Sequence, residues 1–243
     1  MNIINYLRKL ARNLGVGRAL YKLRTMSIFI AKNYSPVAIR KRITVGNKYW
    51  VLAGNAIEKG ALHKQYELAA MFSQVERLKP KSILEIGLSV GGTFEVWSRL
   101  ASEEFIMVGV DLEVPQLLEQ SFPALSSGQK LEIVIGDSHS LDTFEKVKAK
   151  FPNGVDFLFI DGDHSYNGVK QDYEMYSQLV NQGGRIMLHD INPDWHQLYG
   201  QDCIEDSGQV YQFWQEVKKQ RVKTEEVIDK AGQSGYGIGI VSL

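Results

Sequence analysis

The first 57 residues contain no aspartate or glutamate. Eleven of the 28 basic residues fall there, from Arg8 to Lys48, so a net charge of zero hides a basic arm attached to an acidic remainder. That asymmetry points to an anionic contact. Cysteine is nearly missing as well. The single Cys203 excludes an intramolecular disulfide and a cysteine zinc cluster, and fits a reducing, cytoplasmic setting. No apolar run approaches the ~18 residues of a membrane-spanning helix; the longest candidate is Met26 to Ala31. No apolar segment follows the first basic cluster, so a secretory signal is not expected, whereas an organelle transit peptide stays open. Internal repeats and low-complexity stretches are also lacking.

What is present suits one large α/β domain with an N-terminal extension. The chain has 243 residues, of which 44% are hydrophobic and 23% charged, enough for a sizeable core. The expected division is a basic helical extension over 1–62 and a catalytic domain over 63–243. Residues 2–14 read as an amphipathic helix, with Ile3, Ile4, Leu7, Leu10 and Leu14 at helical spacing. A second helix is expected over 18–31. Two readings of this arm stay open. It is a surface for anionic lipid, making the protein peripheral at a membrane through residues 1–48, or it is a docking helix of a homo-oligomer.

Pro36 and the Arg40–Arg42 run are expected to form a connection, followed by a helix over 63–78. Beyond Pro80 short apolar strands alternate with helices. Strands are expected at Ser82–Ile86, Phe105–Val110, Leu131–Ile135, Asp156–Ile160, Arg185–His189 and Tyr236–Val241. Helices are expected over 92–102, 140–150, 166–181 and 208–220. This alternation predicts a Rossmann-like, doubly wound, mostly parallel sheet, with ligands beyond the carboxyl ends of its strands.

Chemistry-bearing residues gather at those ends. The first strand runs into Glu85, Gly87, Ser89, Gly91 and Gly92. Glycines permit a tight turn and close ligand approach, but the spacing is neither the dinucleotide fingerprint nor a phosphate loop. Glu85 would repel a pyrophosphate and suits an amino or cationic group. Asp111 ends the second strand, where a carboxylate can accept both ribose hydroxyls or cap a helix. Gly136, Asp137 and Ser138 follow the third strand. Asp161, Asp163 and His164 follow the fourth, and His189 and Asp190 end the fifth. Buried unpaired charge is costly, so such acids point to function. Asp161 and Asp190 sit on adjacent strand ends and can share a divalent cation, for which hard carboxylates suggest Mg²⁺.

The loop from Leu84 to Gly92 resembles motif I of class I S-adenosylmethionine-dependent methyltransferases. The run Phe159-Ile160-Asp161-Gly162-Asp163-His164-Ser165-Tyr166, the run from Gly183 to Ile191, and the Phe213-Trp214 pair resemble one bacterial group within that class. It is the group related to cephalosporin hydroxylase-type and macrolide or rhamnosyl O-methyltransferases, and the likeness spans about 64–243. It implies a seven-stranded sheet and S-adenosylmethionine bound by Glu85, Gly87, Ser89, Gly91, Asp111, Asp137, Ser138 and Asp161, with Asp137 or Ser138 at the adenine.

A more distant similarity to catechol and caffeoyl-coenzyme A O-methyltransferases implies a metal at Asp161 and Asp190. Those enzymes place an Asn directly after the second Asp. Here that position is Ile191, and Asn192 comes one place later, which leaves the third ligand open. Their catalytic Lys is replaced by His164, which can take a hydroxyl proton. Asp161 is thus read as serving cofactor, cation and chemistry together. His189 is expected either to support the ligands from behind or to be structural, because it precedes the strand-end Asp and can point into the sheet.

The expected activity is transfer of a methyl group to a hydroxyl of a sugar, glycan or polyketide-like small molecule. An oxidative enzyme on the same fold and a nonenzymatic cofactor-binding protein are the rivals. Nucleic acid is not an expected specific partner, because the body is acidic and no amino-methylation motif is present. Tyr166 and Lys170 match the Tyr–Lys pair of short-chain dehydrogenases, but no cofactor loop of that family accompanies them. Tyr173 and Tyr176 are expected in the core. Trp195 is expected either to wall the acceptor site or to lie at the surface.

Overall fold

The computed structural model describes residues 36–115, 125–203, 206–220 and 222–243. The expected helices over 2–14 and 18–31, and with them most of the basic arm, lie outside the described residues. The chain divides into two compact units, 1–47 and 48–243. This division falls earlier in the chain than the expected boundary at 62. Helix α2 (Asn47–Glu58) carries buried Trp50, Ala53 and Ala56 and goes with the second unit.

In the first unit the stretch expected as a connection is helix α1 (Pro36–Val45). Proline is well suited to a first helical turn, where its missing N–H has no partner to lose.

The second unit is built on a seven-stranded sheet. Its strands are β1 (Ser82–Ile86), β2 (Phe105–Asp111), β3 (Gln129–Ile135), β4 (Val155–Ile160), β5 (Val180–His189), β6 (Lys223–Val227) and β7 (Ile238–Ser242). Their order is β3-β2-β1-β4-β5-β7-β6. The first five pair in parallel, and β7 runs antiparallel to both neighbours. The expected doubly wound, mostly parallel architecture is thus observed.

Central strands β1 and β4 are mostly apolar without alternation because both faces are covered, with Glu85 and Asp156 as the charged exceptions. The edge strand β6, Lys-Thr-Glu-Glu-Val, was not legible in the sequence: largely solvent-facing, it lacks an apolar alternation. Strand β7 starts two residues later than expected, since Tyr236 (φ 60°) and Gly237 (φ 88°) are left-handed and cannot extend it.

Helices cover both sheet faces. They are α3 (Gln65–Leu78), α4 (Gly92–Trp97), α5 (Leu141–Lys150), α6 (Tyr166–Tyr176), α7 (Trp195–Tyr199) and α8 (Val210–Val217). Helix α3 buries Leu68, Met71, Phe72 and Val75, one stripe at helical spacing. Helix α8 does the same with Val210, Phe213, Trp214 and Val217. Trp97 joins layers, packing edge-on to Phe72 (5.2 Å) and Phe157 (5.1 Å). Such burial contributes about 1.5–3 kcal/mol per large apolar side chain. Tyr173 and Tyr176 are buried core residues, as expected.

Candidate active site

The turn after β1 is shaped by backbone demands. Gly87 (φ 83°) donates its N–H to the Val110 carbonyl, and a Cβ there would stand 2.2 Å from the Asp161 carbonyl oxygen. Only glycine fits. Ser89 is left-handed (φ 50°), and Gly91 (φ 90°) begins α4. Asp111 ties this turn to the end of β2: its Oδ2 accepts from the N–H groups of Leu88 (2.7 Å) and Ser89 (2.9 Å).

Two neighbouring cavities open at the carboxyl ends of the strands. One, of about 520 Å³, is lined by Gly87, Ser89, Asp111, Leu112, Gly136, Asp137, Ser138, His139 and Asp161 among others. The second, about 530 Å³, is lined by His63, Gly87, Ser89, Thr93, Asp161, His164, His189, Asp190 and Tyr236 among others. Gly87, Ser89, Asp161 and Gly162 border both. A larger cavity of about 800 Å³ lies at the opposite ends of the strands, beside Glu76, Lys81 and Glu104, and contains none of the candidate residues.

Glu85 lines neither cavity. It is fully buried, and its oxygens accept from Thr93 Oγ1 (2.5 Å) and Trp97 Nε1 (2.6 Å). Burial pushes its carboxyl up to about 8. Gly91 likewise shapes the turn and is not among the lining residues. Asp137 stays exposed and folds back on the His139 N–H (2.9 Å), while the cap position of α5 is Ser140. Asp137 therefore does not cap that helix.

The second cavity contains a cluster of three histidines and two aspartates. Asp161 Oδ1 lies 3.0 Å from His189 Nδ1 and 3.5 Å from His164 Nε2. Asp190 Oδ2 lies 3.3 Å from His189 Nδ1 and 3.5 Å from His164 Nε2. His63 Nδ1 meets His189 Nε2 at 2.9 Å, and His63 Nε2 faces Asp161 Oδ2 at 3.6 Å. Asp190 is further held by Ser207 Oγ and the Tyr236 N–H on its Oδ1. A left-handed backbone at Asp190 (φ 58°) breaks the strand alternation. Residues 189 and 190 therefore both reach the cluster: His189 stands against Asp161, in keeping with the expected supporting role, and does not point away into the sheet.

The loop over 206–209 fixes His164. Its Nδ1 donates to the Asp206 carbonyl (3.0 Å), and its own carbonyl accepts from Gln209 N–H (2.6 Å). Since a carbonyl cannot donate, Nδ1 carries a proton and Nε2 is the position open to chemistry.

Electrostatics follow from this packing. A hydrogen bond to Asp161, with the charges of Asp190 and Asp161 beside it, outweighs burial and raises His164 to about 9. Burial dominates at His63 and lowers it to about 3. Burial would lower His189 too, yet the charges of Asp161 and Asp190 raise it. Asp161 is pushed up by burial but held well below the usual carboxylate range by His189 and His164.

The structure thus brings together Asp161, His164 and Asp190 at one site, and Gly87, Ser89, Asp111, Asp137 and Ser138 beside it. His63 was missed by sequence reasoning: a lone histidine before a helix carries no spacing signal. Asn192 is turned away, donating to the carbonyls of Gln233 (2.8 Å) and Gly235 (3.0 Å). Ile191 is buried. Tyr166 and Lys170 lie outside both cavities, in an ion-paired surface group with Glu216. Phe213 and Trp214 are core residues rather than site residues.

Residues 84–191 match the family model described as a methyltransferase domain. A stretch of 39 residues is 54% identical to an uncharacterized protein of Acanthamoeba polyphaga mimivirus, spanning 16% of this chain and 18% of that protein. Among solved structures, an O-methyltransferase from Bacillus cereus in complex with SAH superposes with a TM-score of 0.55 at 16% identity, covering 90% of this chain and 97% of that one. The MycE methyltransferase of the mycinamycin biosynthetic pathway, in complex with Mg and SAH, gives a TM-score of 0.56 at 14% identity, covering 80% of this chain and 54% of that one. At such identities the likeness carries the fold. Sheet order and these structural likenesses show that the chain has the Rossmann-like fold of class I methyltransferases.

Proposed function

We propose that this chain is an S-adenosylmethionine-dependent O-methyltransferase acting on a hydroxyl of a sugar, glycan or polyketide-like small molecule, with a divalent cation between Asp161 and Asp190. The observation that carries it is the pair of cavities joined at Gly87, Ser89 and Asp161. One offers Asp111, Asp137 and Ser138 to a nucleoside, and the other offers an acid–histidine cluster to an acceptor. Both are of ligand size. The B. cereus neighbour was solved with SAH, and MycE with Mg, SAH and mycinamycin VI, which supports this reading.

Asp111 is assigned to the ribose hydroxyls, and its hydrogen bonds from the Leu88 and Ser89 N–H groups hold the turn beside it. Asp137 and Ser138 line the same cavity and are assigned to the adenine. S-adenosylmethionine supplies an electrophilic methyl group on a positive sulfur. What the chain contributes is mostly orientation of the acceptor oxygen. His164 Nε2 takes the hydroxyl proton, with its ring fixed through Asp206. The donor set fits a cation: two carboxylates meet with little compensating charge except imidazole. A cation there would lower the pKa of a coordinated hydroxyl and offset the carboxylate field on His164.

The test is calorimetric titration with S-adenosylmethionine, with and without divalent cation, followed by transfer of labelled methyl to candidate polyols. No binding by folded protein would overturn the reading. The acid-free basic segment extends the proposal to anionic lipid surfaces. Deleting residues 1–32 should then abolish liposome binding and leave cofactor affinity intact. Among the described residues no helix is long and apolar enough to cross a membrane.

A further inference from the structure

The cluster holds more imidazole than a magnesium site requires. Ligand-type atoms of Asp161, His164 and Asp190 lie within 4.8 Å of one another, and so do those of His63, Asp161 and His189. The two groups meet at Asp161, and His189 links them, since its Nδ1 faces both carboxylates at 3.0 and 3.3 Å. Two ligand atoms bound to one ion at about 2.1 Å and at right angles stand about 3.0 Å apart. Both separations are near that spacing.

The rest of the cluster is arranged around this ring. His189 Nε2 meets His63 Nδ1 at 2.9 Å. If Nε2–H donates there, His189 Nδ1 presents its lone pair to the two carboxylates. Facing lone pairs of this kind are satisfied by a proton on Nδ1 or by a cation bound between them. A metal-bound histidine ordinarily donates its other N–H to an acceptor that fixes the ring, and His63 stands in that place, itself only 3% exposed. His164 differs. It is 34% exposed and approaches both carboxylates from the open side at 3.5 Å, where an acceptor would enter. The left-handed Asp190, a conformation uncommon for a residue other than glycine, is what puts His189 and Asp190 on one site.

We propose that His189 is the third protein ligand of the cation at Asp161 and Asp190, that His63 orients it, and that the site takes a borderline transition ion in preference to Mg²⁺. Imidazole suits Fe²⁺, Co²⁺ or Zn²⁺, whereas Mg²⁺ favours oxygen and keeps its waters. The proposal rests on reading Asp161 and Asp190 as a cation site, but not on methyl transfer. It places the missing ligand before Asp190 in the chain, whereas the sequence directed attention after it, to Asn192.

The test uses full-length protein, titrated with CoCl₂ and with MgCl₂ by calorimetry. Cobalt binding is followed in parallel by visible absorption and by the hyperfine-shifted, exchangeable imidazole N–H of a bound histidine. Co²⁺ should bind at least about 10-fold more tightly than Mg²⁺ and give one such shifted N–H. His189→Gln should lose that resonance and the preference for cobalt. His63→Gln should keep a cobalt site weakened about 10–100-fold, with faster N–H exchange. His164→Ala should retain both resonance and affinity. The proposal fails if folded wild-type protein binds Co²⁺ no better than Mg²⁺, or if His189→Gln keeps the resonance. If His189→Gln does not fold, loss of the resonance in His164→Ala would overturn it equally. Failure to bind S-adenosylmethionine would instead sink the methyltransferase reading and leave these outcomes untouched.

Discussion

Gly87 and Asp161 are in backbone contact: a side chain on Gly87 would stand 2.2 Å from the Asp161 carbonyl oxygen. The turn after β1 and the acid after β4 are therefore one structural unit. The two cavities that Gly87 and Asp161 both border share this contact.

The first prediction concerns that contact. Gly87→Ala adds a Cβ where neither the backbone angle nor the space allows one. The left-handed strain alone costs about 1–3 kcal/mol, and the clash adds to it. Urea unfolding should show a lower midpoint, and calorimetry should show loss of S-adenosylmethionine binding. Normal affinity in a folded Gly87→Ala variant would contradict the assignment of this turn to the cofactor.

Asp111→Asn keeps the shape but removes the charge. The side chain would lose charge-assisted hydrogen bonds worth about 1.5–3 kcal/mol, or roughly 10–100-fold in affinity. Calorimetry should find that weakening for S-adenosylmethionine and for free adenosine alike, because the carboxylate is assigned to the ribose.

His164→Ala separates chemistry from binding. Removal of a general base slows the chemical step about 10²–10⁴-fold. Steady-state kcat should fall by that factor, while the cofactor dissociation constant stays the same. Unchanged turnover would remove His164 from the mechanism.

Glu85 governs a pH dependence of stability. Its carboxyl is raised by burial from 4.5 to about 8 in the folded chain. The folded state therefore binds a proton that the unfolded state has released between those values, and stability falls as pH rises through that range. The contribution is fully present below about 4.5 and lost on passing about 8. Glu85→Gln can still accept from Trp97 and pair with Thr93. Its urea midpoint at pH 9 should exceed that of the wild type relative to pH 6. Its cofactor affinity should change little, since Glu85 lines neither cavity. A large loss of affinity would restore the contact that the sequence suggested.

Much of this was legible in one dimension. The runs Ser82–Ile86 and Val155–Ile160 announce buried strands, because a strand covered on both faces is mostly apolar rather than alternating. The acids that end them stand out for the same reason: Asp111, Asp161 and Asp190 interrupt apolar segments where charge is costly. Helix α2 and strand β6 were not legible. The first has mixed composition, and the second is an edge strand whose partner β7 supplies the apolar face.

The sequence by itself determined the sheet, its strand-end turns and the acids placed there, because burial periodicity and glycine geometry are properties of short segments. Only the tertiary structure decided what those acids face. His63 and His189 lie 126 positions apart, yet their ring nitrogens meet at 2.9 Å. Glu85, read as a ligand contact, is enclosed by Thr93 and Trp97. Asn192, one position from a metal ligand's usual place, turns to the Gln233 carbonyl. Hydrogen-bond direction, lone-pair orientation and desolvation depend on neighbours distant in the chain, and no local pattern of residues encodes them.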